Sequence, residues 1–98
     1  MSTILPKLST QEIATGLQQL DGWQLIDEIT ISKTYAFKGY WKTIAFVNSI
    51  AWIAQKHNHH PDLEVYYGKV VVKFTTHDSG GLTALDFELA NAIETVPF

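Results

Sequence analysis

At 98 residues, with 46% hydrophobic and 12% aromatic side chains, the chain suits a single hydrophobic core and argues for a compact globular protein rather than a disordered one. A formal charge of −3, with seven scattered lysines and no arginine, disfavours direct nucleic-acid binding, which relies on clustered positive charge against phosphate. The absence of cysteine removes disulfides, zinc–thiolate sites and thiol nucleophiles.

No apolar run approaches the roughly 18–20 residues that cross a bilayer, and "MSTILPKLST" lacks the basic and apolar regions of a secretory signal. A single-domain, cytoplasmic protein spanning residues 1–98 is the expectation, with no membrane and no direct nucleic-acid partner.

The first element is announced by "LSTQEI". Ser9 is placed as N-cap with Glu12 three residues on, a capping box, while Leu8 and Ile13 form a hydrophobic staple. The helix is expected from about Thr10 to Leu20, stopping at Asp21-Gly22. "WQLIDE" and "ITISKTYAF" then read as two paired strands.

The middle helix is expected from about Trp41 to Lys56, with Phe46, Val47, Ile50, Ile53 and Ala54 on one apolar stripe. At 100° per residue, Trp41, Ala45, Asn48 and Trp52 fall on the opposite side. A helix apolar on two faces tends to be covered on both, here by a neighbouring helix or by another subunit.

"LEVYYGKVVVKFTT" reads as a hairpin with Gly68 near its turn, and Val70, Val72, Phe74 and Thr76 alternate onto one face. "LTALDF" supplies a second capping box, Thr83 with Asp86, and a second staple pair, Leu82 and Phe87. The last helix is expected from about Ala84 to Thr95, with Leu82, Leu85, Leu89 and Ile93 as its apolar stripe. The order αββαββα predicts an α+β fold, a four-stranded, mainly antiparallel sheet with three helices packed on one face.

Three of the four histidines stand within "HNHHPDL", where the middle helix ends. Pro61 stops the helix and pushes His60 toward an extended backbone. His57 has a structural role available, complementing the last carbonyls of the helix. His59 and His60 leave on a connection, and His77 follows the last strand in "TTHDSGGLT". Antiparallel pairing about Gly68 brings both histidine groups to the same open end of the hairpin.

A metal site fits less well, because His57 and His59 straddle a helix end and adjacent His59 and His60 diverge. Acid–base chemistry suits the residue type, since imidazole titrates near neutrality. Two imidazoles in one pocket can protonate a leaving hydroxyl and take a proton elsewhere on the same substrate, as a dehydration requires.

The segment "KHNHHPDLEVYYGKVVVKFTTHDSGGLTALD" resembles the signature of the pterin-4a-carbinolamine dehydratases. It has His59-His60-Pro61, an aromatic residue six after the proline (Tyr67), a histidine ten further on (His77) and an aspartate nine beyond that (Asp86). Gly22-Trp23 and Phe37-Lys38 extend the likeness over most of the chain.

The resemblance implies the same α+β sandwich and loss of water from 4a-hydroxytetrahydropterin to give quinonoid dihydropterin, a step in recycling the cofactor of aromatic amino acid hydroxylases. By position it implies His59 and His77 as the acid–base pair, with His60 completing the catalytic set by binding and orienting the pterin. Asn58, Thr75, Thr76 and Asp78 would line the pocket, with Trp23 near it; "DSGGLT" suits its wall, because Gly80-Gly81 lets backbone approach closely. No metal or organic cofactor is implied, and the assembly would be a homodimer or homotetramer.

Three positions depart from the family pattern. Gln55 stands where an acidic residue is usual, Leu63 where animal members often carry tryptophan, and His57 is an additional imidazole. Some relatives serve instead as dimerisation cofactors of a homeodomain transcription factor or as Rubisco assembly factors, so a non-catalytic binding module is the alternative. The intact histidine set favours the enzyme.

Overall fold

The computed structural model describes residues 4–97. Along the chain run α1 (Thr10–Gln18), β1 (Gln24–Ile26), β2 (Thr30–Ala36), α2 (Tyr40–His57), β3 (Asp62–Val65), β4 (Lys69–Phe74), a 3-10 turn at His77–Ser79 and α3 (Ala84–Glu94). The sheet order is β1-β2-β4-β3 and each of these pairings is antiparallel. The expected αββαββα order and α+β architecture are therefore found.

Both capping boxes form. Ser9 accepts from the Glu12 N–H while Glu12 accepts from the Ser9 N–H, and Thr83 and Asp86 repeat the arrangement. These reciprocal bonds satisfy backbone donors that a helix start otherwise leaves open.

The first hairpin is tighter than the sequence suggests. β1 ends at Ile26 because Asp27 and Glu28 take left-handed backbone (φ 48° and 68°) in the loop to Thr30. The Ile29 N–H donates to the Asp27 carboxylate at 3.3 Å, a local bond that favours turn over strand at an aspartate.

The core lies between one sheet face and the helices. Ile31, Val70, Val72 and Phe74 point inward from β2 and β4, and meet Phe46 and Ile50 of α2 and Leu89 and Ile93 of α3. Gly16 lets α1 close on this layer, because a Cβ there would stand 2.7 Å from the Phe87 ring. Among the described residues nothing covers the two tryptophans on the second face of α2, since Trp41 is 87% exposed and Trp52 73%. Packing against a neighbouring helix of the same chain, one of the two expected covers, is thus not what this face does.

A polar cluster fastens the end of α3 to β2. Lys33 Nζ lies 3.0 and 2.8 Å from the two Glu94 oxygens and 2.6 Å from the Asp21 carbonyl, and the Tyr35 hydroxyl donates to the same carboxylate. Desolvation acts to raise the Glu94 carboxyl, but the hydrogen bonds from Lys33 and Tyr35 and the lysine charge outweigh it and hold the carboxyl below its ordinary range. The Tyr35 phenol is pushed above its ordinary range, first by burial and then by Glu94.

The signs follow from linkage. The Glu94 contribution is complete above the usual glutamate value of about 4.3 and is lost as pH falls through its lower folded value. That of Tyr35 is complete below the usual tyrosine value of about 10 and is lost as pH rises through its folded value. Glu94→Ala is expected to cost about 1–2 kcal/mol at pH 7, discounted because the carboxylate is a quarter exposed. Urea titrations should show the gap between variant and wild type closing below about pH 4, and a gap unchanged down to pH 3 rejects this account.

Candidate active site

The site begins where α2 stops. Asn58 takes left-handed backbone (φ 51°, ψ 42°), the Asn58 N–H donates to the Gln55 carbonyl at 3.3 Å and the His59 N–H to the Ala54 carbonyl at 3.1 Å. This is the Schellman pattern, which asparagine tolerates better than most residues other than glycine. His57 belongs to the same ending: its Nδ1–H donates to the Ile53 carbonyl at 2.9 Å, as expected for a cap residue.

From there His59 and His60 lead through Pro61 into β3, whose register sets what they face. Asp62 pairs with Lys73, so continuing the ladder outward sets His60 opposite Thr75. Beyond Thr75 the chain makes the turn His77–Ser79, closed by Gly80 (φ 73°) and by an antiparallel bridge between Thr76 and Gly81.

A cavity of about 270 Å³ opens at this junction, lined by Asn58, His59, His60, Thr75, Thr76, His77 and Asp78. The convergence expected from hairpin pairing is present. A larger groove of about 570 Å³ runs between α1 and α3, but Glu12, already tied into its capping box, is its one titratable side chain. The imidazoles His59, His60 and His77 are gathered at the smaller cavity instead.

His59 is the most constrained imidazole. Its Nε2 lies 2.6 Å from Asp86 Oδ1, and its ring stacks on Phe74 with centroids 5.8 Å apart. Asp86 is fully buried. Its Oδ2 accepts from the Thr76 hydroxyl at 2.8 Å and from the Thr83 N–H at 2.9 Å. Because a carboxylate accepts, Nε2 of His59 carries the hydrogen and Nδ1 of the neutral ring is left as an acceptor.

The Thr83 hydroxyl, 2.9 Å from that of Thr76, completes the chain of bonds that keeps this buried charge satisfied. His60 is held more loosely, its Nε2 3.2 Å from Gln55 Oε1, and the His77 ring makes no hydrogen bond or ion pair among the described residues.

Trp23, expected near the pocket, stands behind it without lining it, and the expected glycine wall lies elsewhere. Trp23 is buried beneath the sheet, 6.0 Å from Phe74 and edge-on to Tyr35, so it backs the ring that supports His59 without lining the cavity. The size of the indole explains this, since a large apolar surface is best placed in the core. Gly80 and Gly81 face a different cavity, beside Lys7 and Ile29, because the 3-10 turn carries them away from the histidines.

The sequence reading also gave Asp86 no role in the site beyond its helix cap and its place in the pattern. An aspartate at the third helical position after Thr83 is accounted for by the cap alone, so only its contact with His59 exposes the second task. Among the described residues, no group of three histidine or carboxylate side chains is arranged to hold a metal ion.

The fold is an α+β sandwich that gathers three imidazoles around one cavity, one of them anchored on a buried carboxylate. Residues 6–96 match the family described as pterin 4 alpha carbinolamine dehydratase, and the chain belongs to that family.

A protein of Nitrosospira multiformis provisionally named a pterin-4-alpha-carbinolamine dehydratase is 47% identical over 92 residues, 94% of this chain and 80% of its own. One of Stenotrophomonas maltophilia, with the same provisional name, is 49% identical over 82 residues, 83% of this chain and 71% of its own.

Among solved structures, the transcriptional coactivator/pterin dehydratase from Brucella melitensis superposes with a TM-score of 0.86 at 32% identity, over 90% of this chain and 95% of its own. A pterin dehydratase-like protein identified as a RuBisCO assembly factor in the alpha-carboxysome matches with a TM-score of 0.63 at 19% identity, over 74% of this chain and 86% of its own, a likeness of fold alone.

Proposed function

We propose that this protein removes water from 4a-hydroxytetrahydropterin, giving quinonoid dihydropterin, and that His59 and His77 move the protons. The observation that carries the reading is the shared cavity of His59, His60 and His77 in a chain of the dehydratase family.

In the reaction the C4a–oxygen bond breaks as the hydroxyl takes a proton and departs as water. A ring nitrogen supplies its lone pair and gives up its own proton, so the step is redox-neutral and needs no external oxidant. The bond to Asp86 supports His59 as one of the two groups. It fixes the tautomer that leaves Nδ1 to take and return a proton, and it stabilises the ring when charged. His77, whose ring has no competing partner among the described residues, is the other. His60, its Nε2 occupied by Gln55, keeps Nδ1 for orienting the flat ring. Asn58, Thr75, Thr76 and Asp78 supply the directed polar contacts such a slot requires.

No helix among the described residues is long and apolar enough to cross a membrane, which is compatible with the proposed cytoplasmic location. Exposure of Trp41 and Trp52 supports self-association into a homodimer or homotetramer through α2, and a monomer in sedimentation velocity at working concentration would remove that part. The non-catalytic alternative gains nothing specific from the site, because a scaffold has no use for an imidazole anchored on a buried carboxylate.

The test is a phenylalanine hydroxylase assay in which the 4a-hydroxy intermediate is followed by its absorbance. Catalytic amounts of the protein are expected to speed its decay by about 10²-fold or more over the spontaneous rate. A decay rate indifferent to added protein rejects the proposal.

A further inference from the structure

Beyond the 3-10 turn lies a cavity of about 460 Å³ that shares no wall residue with the histidine cavity. Leu8 before α1, Ile13 of α1, Leu25 of β1, Ile29 before β2 and Leu82 before α3 line it with aliphatic carbon. Leu25 and Ile29 are 39% and 46% exposed, so apolar surface is left open to solvent here. Gly81 keeps the floor clear, because a Cβ there would stand 3.0 Å from Lys7 Cδ and 3.9 Å from Ile29 Cγ2.

The walls are fastened to the rest of the fold. The Leu8 N–H donates to the Leu82 carbonyl at 2.8 Å, and the Thr75 hydroxyl donates to the Ile29 carbonyl at 2.5 Å. A slot held in this way is largely formed before a ligand arrives.

Two charges of opposite sign, Lys7 and Glu28, also line the cavity. They do not pair with each other, and neither side chain makes a hydrogen bond or ion pair among the described residues. A simple anion would meet Glu28 as a like charge, and a simple cation would meet Lys7. A small molecule that carries both signs is answered at each end.

We propose that this cavity binds a free α-amino acid with an aliphatic side chain. The side chain lies against the leucines and isoleucines, the carboxylate meets Lys7 and the ammonium meets Glu28. None of these residues takes part in the dehydration, so the inference stands apart from that reading.

The experiment is isothermal titration calorimetry of the full chain with L-leucine and three of its fragments. Isopentylamine lacks the carboxylate, isocaproate lacks the amine and glycine lacks the side chain. Wild type is expected to bind L-leucine at a single site per chain, at least about tenfold more tightly than any fragment. In Lys7→Gln the advantage of leucine over isopentylamine should fall to about twofold or less while that over isocaproate persists. Glu28→Gln should show the reverse.

Both side chains are exposed, so the variants are expected to fold, which circular dichroism checks. No saturable binding of L-leucine, a fragment bound as tightly as leucine by wild type, or an unchanged pattern in either folded variant each overturns the inference.

Discussion

Replacing His59 and His77 together by alanine is expected to lower kcat/KM for dehydration by about 10³–10⁴-fold, with far-UV circular dichroism unchanged. Each single replacement should already cost about 10²-fold or more, and the losses should not multiply, because proton donation and removal serve one transition state.

The two histidines differ in how they sit, and the stability of the variants should show it. His77 is exposed and its ring makes no hydrogen bond or ion pair among the described residues, so His77→Ala should stay within about 0.5 kcal/mol of wild type. His59 has a side chain only 11% exposed, stacks on Phe74 and answers the buried Asp86 carboxylate. His59→Ala removes one partner of a buried charge and should cost about 2–4 kcal/mol. Similar kinetic losses with unequal thermal stability are therefore the expected pattern. Full activity in the double variant would sink the assignment of these two residues.

That contrast also marks what was legible in the sequence. The helix starts were readable because a capping box is a local device: four residues contain both partners, and Ser9 with Glu12 and Thr83 with Asp86 form as read. The meeting of His60 and His77 was readable because one hairpin joins them and antiparallel register carries position across it.

The position of Trp23 was not, since nothing local distinguishes an indole that lines a pocket from one that backs Phe74 across the sheet. The Asp86–His59 contact spans 27 residues and two elements, and Asp86 already had a sufficient local explanation as a cap residue. The α2 face carrying Trp41 and Trp52 was legible as apolar, but its cover was not, because that depends on what approaches from outside the chain.

Asp86 carries the second large prediction. Both of its oxygens accept, Oδ1 from His59 and Oδ2 from Thr76 and Thr83. Asp86→Asn keeps the shape and one acceptor, and replaces the other by an NH₂ donor. The Thr83 N–H is a fixed donor at the start of α3 and cannot be reversed, so the acceptor should stay on that side. The new NH₂ then faces His59 Nε2, which can meet it only by giving up its hydrogen. The proton moves to Nδ1, the nitrogen meant to work in the cavity.

The expected result is a fall in kcat of about 10²–10³-fold with KM changed by less than about threefold. A stability loss near 1 kcal/mol should accompany it, against about 2–4 kcal/mol for Asp86→Ala, which also strips the helix cap. Nitrogen-15 spectra of the His59 imidazole distinguish this from general loosening, since wild type should show the hydrogen on Nε2 and Asp86→Asn should show it on Nδ1. A variant with the tautomer reversed and kcat intact would mean that Asp86 only holds the fold together, and that proton transfer does not pass through His59.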